Sequence, residues 1–234
     1  MKEVLIISLF VISIISCKDP QVNVDKTPDY NKLIEKQLNS GLINDTSFLG
    51  FVFGWTENQT QKHIDSLILN NRIESRNDFN VKIYSEPMTV NGYKYQMQFD
   101  TLNKTDLVII PIFKDDYLKS LTFVPIYKSE TIMQSISFFS DMADFLEKKY
   151  GKPNLIINKN LGLYEQGILY WFDGIKEFNL TSITIKEPKP NLLGILVISD
   201  IRVKIQEIKE GKFKDSILLK KNIEDLKKAA QDFN

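Results

Sequence analysis

The spacing of apolar residues along the chain predicts four helices. Apolar residues that recur every three or four positions lie on one side of a helix. Segments with this pattern lie at about 28–40, 57–70, 129–150 and 213–233. The third pattern is the strongest, because Ser129 is a typical N-cap residue and Gly151 follows as a stop signal. Thr56 and Gln59 have the spacing of a capping box, which predicts the start of the second helix.

Alternation of apolar and polar residues predicts eight strands. The strand-like runs lie near 80–85, 91–100, 106–113, 117–126, 154–159, 167–173, 178–186 and 193–205. In the second run, aromatic residues and a methionine alternate with the polar residues Lys94, Gln96, Gln98 and Asp100. Since successive side chains of a strand point to opposite faces, this run predicts one packed face and one wet face.

The predicted elements repeat. A helix followed by four strands occurs in residues 48–127 and again in residues 128–205. The segments IPIFKDDYLKSLTFVP and LYWFDGIKEFNLTSITIK each contain a strand ending in Phe, an acidic turn and a second strand. We therefore predict an internal duplication within a single α+β body over residues 28–234. Its antiparallel sheet carries helices packed on one face, with extra helices at the N- and C-terminal ends.

This element order resembles two known kinds of protein. It is similar to the tandem helix-plus-four-strand repeats of the β-lactamase inhibitory protein type. It also resembles small outer-membrane assembly lipoproteins in which a helix opens with Gly-x-Thr, and Gly54-Trp55-Thr56 is the corresponding stretch. Trp55 stands where a smaller or more flexible side chain is expected. The resemblance implies a repeat architecture and an envelope location, and it transfers no binding residues.

The N-terminal residues have the pattern of an export signal. The apolar run from Val4 to Ile15 has twelve residues, whereas a helix needs roughly 20 to span a bilayer. Residues 14–17, IISC, which overlap the end of this run, resemble the lipobox of bacterial lipoproteins. That resemblance implies that residues 1–16 are removed and that Cys17, the only cysteine, carries acyl chains such as palmitate. Residues 17–27 then form a polar tether. The alternative is an uncleaved N-terminal anchor with an unmodified cysteine.

Two short motifs bear on the location of the protein. Lys-Asp directly after the lipobox cysteine resembles a surface-export signal of Bacteroidota lipoproteins. Asp-Ser/Thr-apolar tripeptides such as Asp65-Ser66-Leu67 resemble O-glycosylation sites of the same group. These resemblances imply an outer-membrane lipoprotein that faces the periplasm or the cell surface.

Composition excludes several functions. Thirty basic and thirty acidic residues balance, without the basic patch of a nucleic-acid-binding protein. His63 is the only histidine, so paired-histidine metal sites are absent and His63 is expected to be a helix-flank residue whose replacement leaves folding intact. Asp115, Asp116 and Asp173 fall in predicted turns, where Asp favours the turn itself. We predict no catalysis, no cofactor and no metal; the alternative is a hydrolase with a glycosidase-like acid pair.

Two surfaces are candidates for binding. The wet face of the second strand, with Lys94, Gln96 and Gln98, suits contact with another envelope protein. We expect a non-catalytic protein-binding or scaffold lipoprotein that uses this face. The alternative is a glycan-binding surface lipoprotein that uses an aromatic patch, because aromatic side chains anchor interfaces. That patch consists of Trp55, Tyr164 and Trp171. The opposing possibility is that both tryptophans lie in the core.

Overall fold

The computed structural model of the chain describes residues 29–83, 86–99, 103–126, 132–160, 164–185 and 191–209. The helices in this part are α1 (Tyr30–Asn39), α2 (Glu57–Leu69), α3 (Ile132–Tyr150) and α4 (Ile201–Lys209). The strands are β1 (Asn77–Ile83), β2 (Glu86–Gln98), β3 (Lys104–Lys114), β4 (Tyr117–Pro125), β5 (Leu155–Asn160), β6 (Tyr164–Asp173), β7 (Lys176–Ile185) and β8 (Asn191–Asp200). Among these helices, none has both the length and the apolar character needed to cross a membrane.

Several predictions fall outside these residues. They concern the predicted signal peptide, Cys17, the predicted tether and the helix predicted at 213–233. Asp100 does so as well, although its neighbours on β2 are described.

The eight strands form one antiparallel sheet in the order β1-β2-β3-β4-β8-β7-β6-β5. Each repeat contributes four consecutive strands, and the second set runs across the sheet in reverse order. The two sets meet where β4 pairs with β8, with Leu121 opposite Ile198. The predicted α+β fold with two helix-plus-four-strand units is therefore confirmed.

The helices that open the two units, α2 and α3, pack on the same face of the sheet, which we call the front face. Ile64 of α2 and Met142 of α3 are each 1% exposed. They belong to one apolar cluster with front-face residues of both units, such as Phe123 of β4 and Phe178 of β7. Burial of large apolar side chains on this scale is the main stabilising contribution in a domain of this size. The predicted packing of the unit helices is confirmed.

The capping box predicted at the start of α2 is present. The Thr56 hydroxyl accepts a hydrogen bond from the Gln59 backbone N–H at 3.3 Å. The Gln59 side-chain oxygen accepts the Thr56 backbone N–H at 2.9 Å. Two N–H groups that the helix leaves unpaired are thereby satisfied.

The other two helices, α1 and α4, pack on the opposite face, the back face, over the second unit. Ile34 of α1 and Ile201 of α4 share an apolar cluster with Ile168 and Tyr170 of β6. The ring centroids of Tyr30 and Tyr170 lie 5.2 Å apart. The second unit is thus covered by helices on both faces of the sheet, with α3 on the front face and α1 and α4 on the back face.

A buried charge cluster joins these two helices to β7. The Glu177 side chain is fully buried, and its carboxylate accepts hydrogen bonds from the Tyr30 hydroxyl and the Lys204 ammonium. The Lys204 side chain is 8% exposed. Because an unpaired buried charge is costly, the pair fixes where α4 lies on the back face.

The strand predicted at 193–205 is wrong in its last five residues. β8 ends at Asp200, and α4 begins at Ile201. The Asp200 carboxylate accepts the Arg202 backbone N–H at 2.8 Å and the Arg202 guanidinium at 2.7 Å. An Asp that accepts an N–H of the first helical turn favours a helix start, so the helix begins although the alternating pattern continues.

Candidate functional site

The predicted wet face of β2 lies on the back face of the sheet at its outer end. Lys94 donates to Glu74 at 2.7 Å and lies 3.7 Å from the Asp106 carboxylate. Gln96 donates to the same Asp106 at 3.1 Å. Gln96 and Gln98 are exposed, whereas Lys94 is half-buried. We call Lys94, Gln96 and Gln98 the β2 polar strip.

The electrostatics of the β2 polar strip are set by its carboxylates. The pKa of Lys94 is raised above its ordinary value, mainly by the hydrogen bond to Glu74 and further by the charge of Asp106. The Lys94 ammonium therefore lies between two carboxylates that favour its charged form. Held side chains lose less conformational entropy when a partner binds.

The solvent-exposed part of the back face is narrower than the alternation of apolar and polar residues in β2 predicts. Val108 lies directly opposite Lys94, and Val124 lies opposite Val108. Both valines are fully buried, and Val197 of β8 on the same face is 8% exposed. The surface offered by this face is therefore the outer part of β2 and β3, not the centre of the sheet.

The predicted aromatic patch does not form around Trp171. Its side chain is 1% exposed, and its indole N–H donates to the Gly151 carbonyl at 2.8 Å. The prediction that Trp171 contributes to a surface patch is wrong, because α3 covers that side of β6. The possibility that it is a core residue is correct.

The other two members of the patch lie elsewhere. Trp55 is half-buried beside His63, with ring centroids 5.2 Å apart. Tyr164 begins β6, seven residues before Trp171, and its side chain lies outside the described part of the chain. The structure does not bring the three aromatic residues into one patch.

His63 has a structural role in the chain segment before α2. Its Nε2 lies 2.9 Å from the Leu49 carbonyl oxygen. Its ring also packs edge-on against Phe51 at 5.0 Å. Leu49 has a positive φ of 59°, a conformation that non-glycine residues adopt only when it is stabilised. The expectation that replacing His63 leaves folding intact is therefore at odds with these contacts.

The turn carboxylates separate into two kinds. Asp115 and Asp116 are the exposed residues of the two-residue β3–β4 turn, with φ values of 51° and 64°. Two positive φ values define the hairpin turn that Asp and Asn favour, so these residues serve the turn. Within the described ranges, no cluster of three or more His, Cys, Asp or Glu side chains suits a metal ion. Asp173 differs, because it reaches a cavity.

This cavity has a volume of about 270 Å³ and lies on the front face between α3, the sheet and the segment 44–48. We call it the α3 cavity. Its apolar walls come from the sheet, from α3 and from Phe48 of the segment 44–48; the sheet and α3 contribute Met97, Phe123, Met142, Phe145, Leu146, Phe178, Leu196 and Ile198. Its polar wall comprises Asn44, Thr46, Ser47, Lys149, Tyr150, Asp173 and Lys176.

The polar wall is built where the chain crosses the end of the sheet. Lys176, whose side chain is 4% exposed, lies 2.8 Å from the Asp173 carboxylate and donates to the Thr46 carbonyl at 2.9 Å. Asn44 donates to Asp173 at 2.9 Å. A Cβ on Gly174 would lie 2.8 Å from the Asn44 nitrogen, so glycine lets this segment approach the β6–β7 turn.

Tyr150 closes the cavity beside these charges. Its ring packs on Phe178 at 4.5 Å, and the Lys149 ammonium lies 5.2 Å from the Tyr150 ring centroid. Burial, together with the charge of Asp173, raises the pKa of the Tyr150 hydroxyl to about 12. The hydroxyl is therefore a neutral donor at physiological pH.

Sequence reasoning missed the α3 cavity. The sequence predicts Asp173 as a turn residue and Tyr150 as the end of a helix, and Lys176 falls between the predicted strands 167–173 and 178–186 with no pattern that singles it out. The contact between Lys176 and Thr46 spans 130 positions of sequence. No local pattern carries that information.

We compared the chain with known protein families, with curated proteins and with solved structures, and none of the three comparisons gave a significant match.

Proposed function

We propose that the protein is a lipoprotein of the bacterial outer membrane that is anchored through Cys17 and binds another envelope protein without catalysing a reaction. The β2 polar strip is its contact surface. The observation that carries this proposal is the fixed position of Lys94 between Glu74 and Asp106, next to the exposed amides of the strip.

The chemistry of the β2 polar strip suits a protein partner. Lys94 offers a positive charge, the exposed Glu74 a negative one, and the exposed Gln96 offers both a donor and an acceptor. Mixed polar groups of this kind surround protein–protein contacts and determine their register and specificity. Because Trp171 lies in the core, a glycan-binding site would have to use Trp55 and Tyr164 alone, and no observation favours such a site.

The anchor is tested with Cys17→Ser. We expect the native chain to sediment with membranes and to carry the mass of added acyl chains, and the variant to lose both properties. The variant lacks the thiol that accepts the acyl group. Because stable attachment needs two acyl chains, the loss of membrane attachment should be nearly complete. Unchanged attachment of the variant would overturn the lipoprotein part of the proposal.

The binding surface is tested by photo-crosslinking in cells. A photoreactive side chain is placed at Gln96 in one variant and at Asn158 in the control. Both positions are exposed, and Asn158 lies on β5 at the far edge of the sheet. We expect one envelope protein to be captured from position 96, only with the anchored chain, and none from position 158. Equal capture from both positions, or capture of no single protein, would overturn the protein-binding part.

A further inference from the structure

The α3 cavity has the size of a site for a small ligand. Protein cores contain few voids larger than a water molecule, and the volume here is about 270 Å³. A cavity of about 150 Å³ admits benzene, so this one has room for roughly ten to fifteen non-hydrogen atoms. Asn44 and Lys149 line it and are exposed, so it opens to solvent between the segment 44–48 and the end of α3.

The cavity has an apolar side and a polar side. Its inner walls are apolar side chains that are almost fully buried, including Phe123, Met142 and Leu146 at 1% exposure each. The opposite wall carries the charged and hydroxyl groups. A molecule that fills the cavity must therefore have an apolar body and a polar end.

The charge of the polar wall selects the sign of that polar end. Lys149 and Lys176 contribute two ammonium groups and Asp173 contributes one carboxylate, so the net charge is +1. Lys176 has three N–H donors, and Asp173 and Thr46 accept two of them. An anionic group at this wall would balance the excess charge.

A second observation points to a missing partner at the same wall. The Ser47 hydroxyl oxygen is buried and has no hydrogen-bond partner among the residues that the structure describes. Buried hydroxyl groups almost always have one. Ser47 and Tyr150 both line the α3 cavity. Each side chain carries a hydroxyl group that can donate a hydrogen bond to a ligand oxygen.

We propose that the α3 cavity binds a small amphipathic carboxylate, with an apolar body of about ten non-hydrogen atoms against α3 and the sheet. Its carboxylate lies at the wall formed by Ser47, Lys149 and Lys176. Binding requires no reaction. It gives the protein a small-molecule site on the front face, separate from the β2 polar strip on the back face.

The test uses octanoate as the probe and the mature chain, without residues 1–16 and with Cys17→Ser. That substitution removes the lipid, so that no detergent, itself an amphiphile, is needed. Binding is measured by isothermal titration calorimetry, with octanol as the neutral ligand of the same length. We expect octanoate to bind at least about tenfold more tightly than octanol, because a charge-assisted contact is lost with octanol.

A pair of lysine variants tests the polar wall. Lys148 and Lys149 are both exposed in the last turn of α3, but only Lys149 lines the cavity. We expect Lys149→Gln to weaken octanoate binding about threefold to fivefold, as expected for an exposed charge. Lys148→Gln should leave the affinity within about twofold. Equal affinities for octanoate and octanol, or equal effects of the two lysine variants, would overturn the proposal.

A cavity-filling variant tests the apolar walls. Leu146→Trp places a larger side chain into the cavity, and we expect it to abolish octanoate binding. Circular dichroism and the urea midpoint show whether this variant is folded, and Leu146→Met serves as a milder change of similar volume. Unchanged binding to a folded Leu146→Trp variant would also overturn the proposal, as would a native chain that binds neither probe.

Discussion

The buried pair of Glu177 and Lys204 allows a quantitative test of how α4 is held on the sheet. Glu177→Leu removes the acceptor of both the Lys204 ammonium and the Tyr30 hydroxyl. The double variant Glu177→Leu/Lys204→Met removes both charges and leaves two apolar side chains of similar length. The free energies of unfolding of the single and double variants, compared with each other, separate the destabilisation by an unpaired buried charge from the contribution of the ion pair to stability.

The expected magnitudes follow from burial. The Glu177 side chain is fully buried and that of Lys204 is 8% exposed. Removing one partner of a buried ion pair costs about 3–5 kcal/mol, because the other charge stays buried without compensation. In the double variant only the Tyr30 hydroxyl loses its acceptor, which costs about 1–3 kcal/mol. The double variant should therefore be more stable than the single variant.

Urea unfolding followed by tryptophan fluorescence gives the free energy of unfolding of each variant. Glu74→Ala is the control, because Glu74 forms an ion pair with Lys94 at 2.7 Å but its side chain is 67% exposed. An exposed pair contributes at most about 1 kcal/mol. A cost below about 1 kcal/mol for Glu177→Leu, or a double variant no more stable than the single one, would refute the reasoning.

Three further predictions follow from individual side chains. His63→Ala should lower the free energy of unfolding by about 1–2 kcal/mol, because it removes the 2.9 Å contact with the Leu49 carbonyl and the ring packing; an unchanged urea midpoint would contradict this. Trp55→Phe leaves Trp171 as the only indole, and its emission should be blue-shifted and resistant to acrylamide, since Trp171 is 1% exposed; red-shifted, readily quenched emission would place it at the surface. The pKa of Tyr150 is raised to about 12 from about 10 in the unfolded chain. The stability that its neutral form contributes is therefore fully present below pH 10 and is lost as the pH rises to about 12. The difference in stability between the native chain and Tyr150→Phe should change across that range, and a constant difference in urea unfolding at each pH would exclude the shift.

Local patterns predicted most of the elements, because the forces that define them act over a few residues. The capping box of Thr56 and Gln59 sets the start of α2 at the predicted position. The alternation around Lys94 and Gln96 predicts β2, and the register with β3 agrees with it. Where a local signal competes with another, the prediction failed: Ile201 fits both a strand and a helix, and the Asp200 cap decides for the helix.

The environment of single side chains was harder to predict, because it depends on contacts distant in sequence. Tyr170 and Trp171 are neighbours that point to opposite faces of β6, and each is 1% exposed. Alternation alone requires one of them to face solvent unless both faces are covered. In this chain α3 covers Trp171 and α1 covers Tyr170. The aromatic patch failed because Trp171 lies on the face of β6 that α3 covers, and alternation alone does not show which face that is.

The two proposed sites share strand β2 but use opposite faces of it. Met97 lines the α3 cavity on the front face, and its neighbours Gln96 and Gln98 are exposed on the back face. Substituting Gln96 with a photoreactive residue should therefore leave the octanoate affinity within about twofold, since exposed positions seldom affect a packed neighbour. Lys149→Gln should likewise leave crosslinking from position 96 unchanged. If octanoate instead alters capture of the partner, the two sites are coupled, and partner and ligand must change each other's affinity by the same factor.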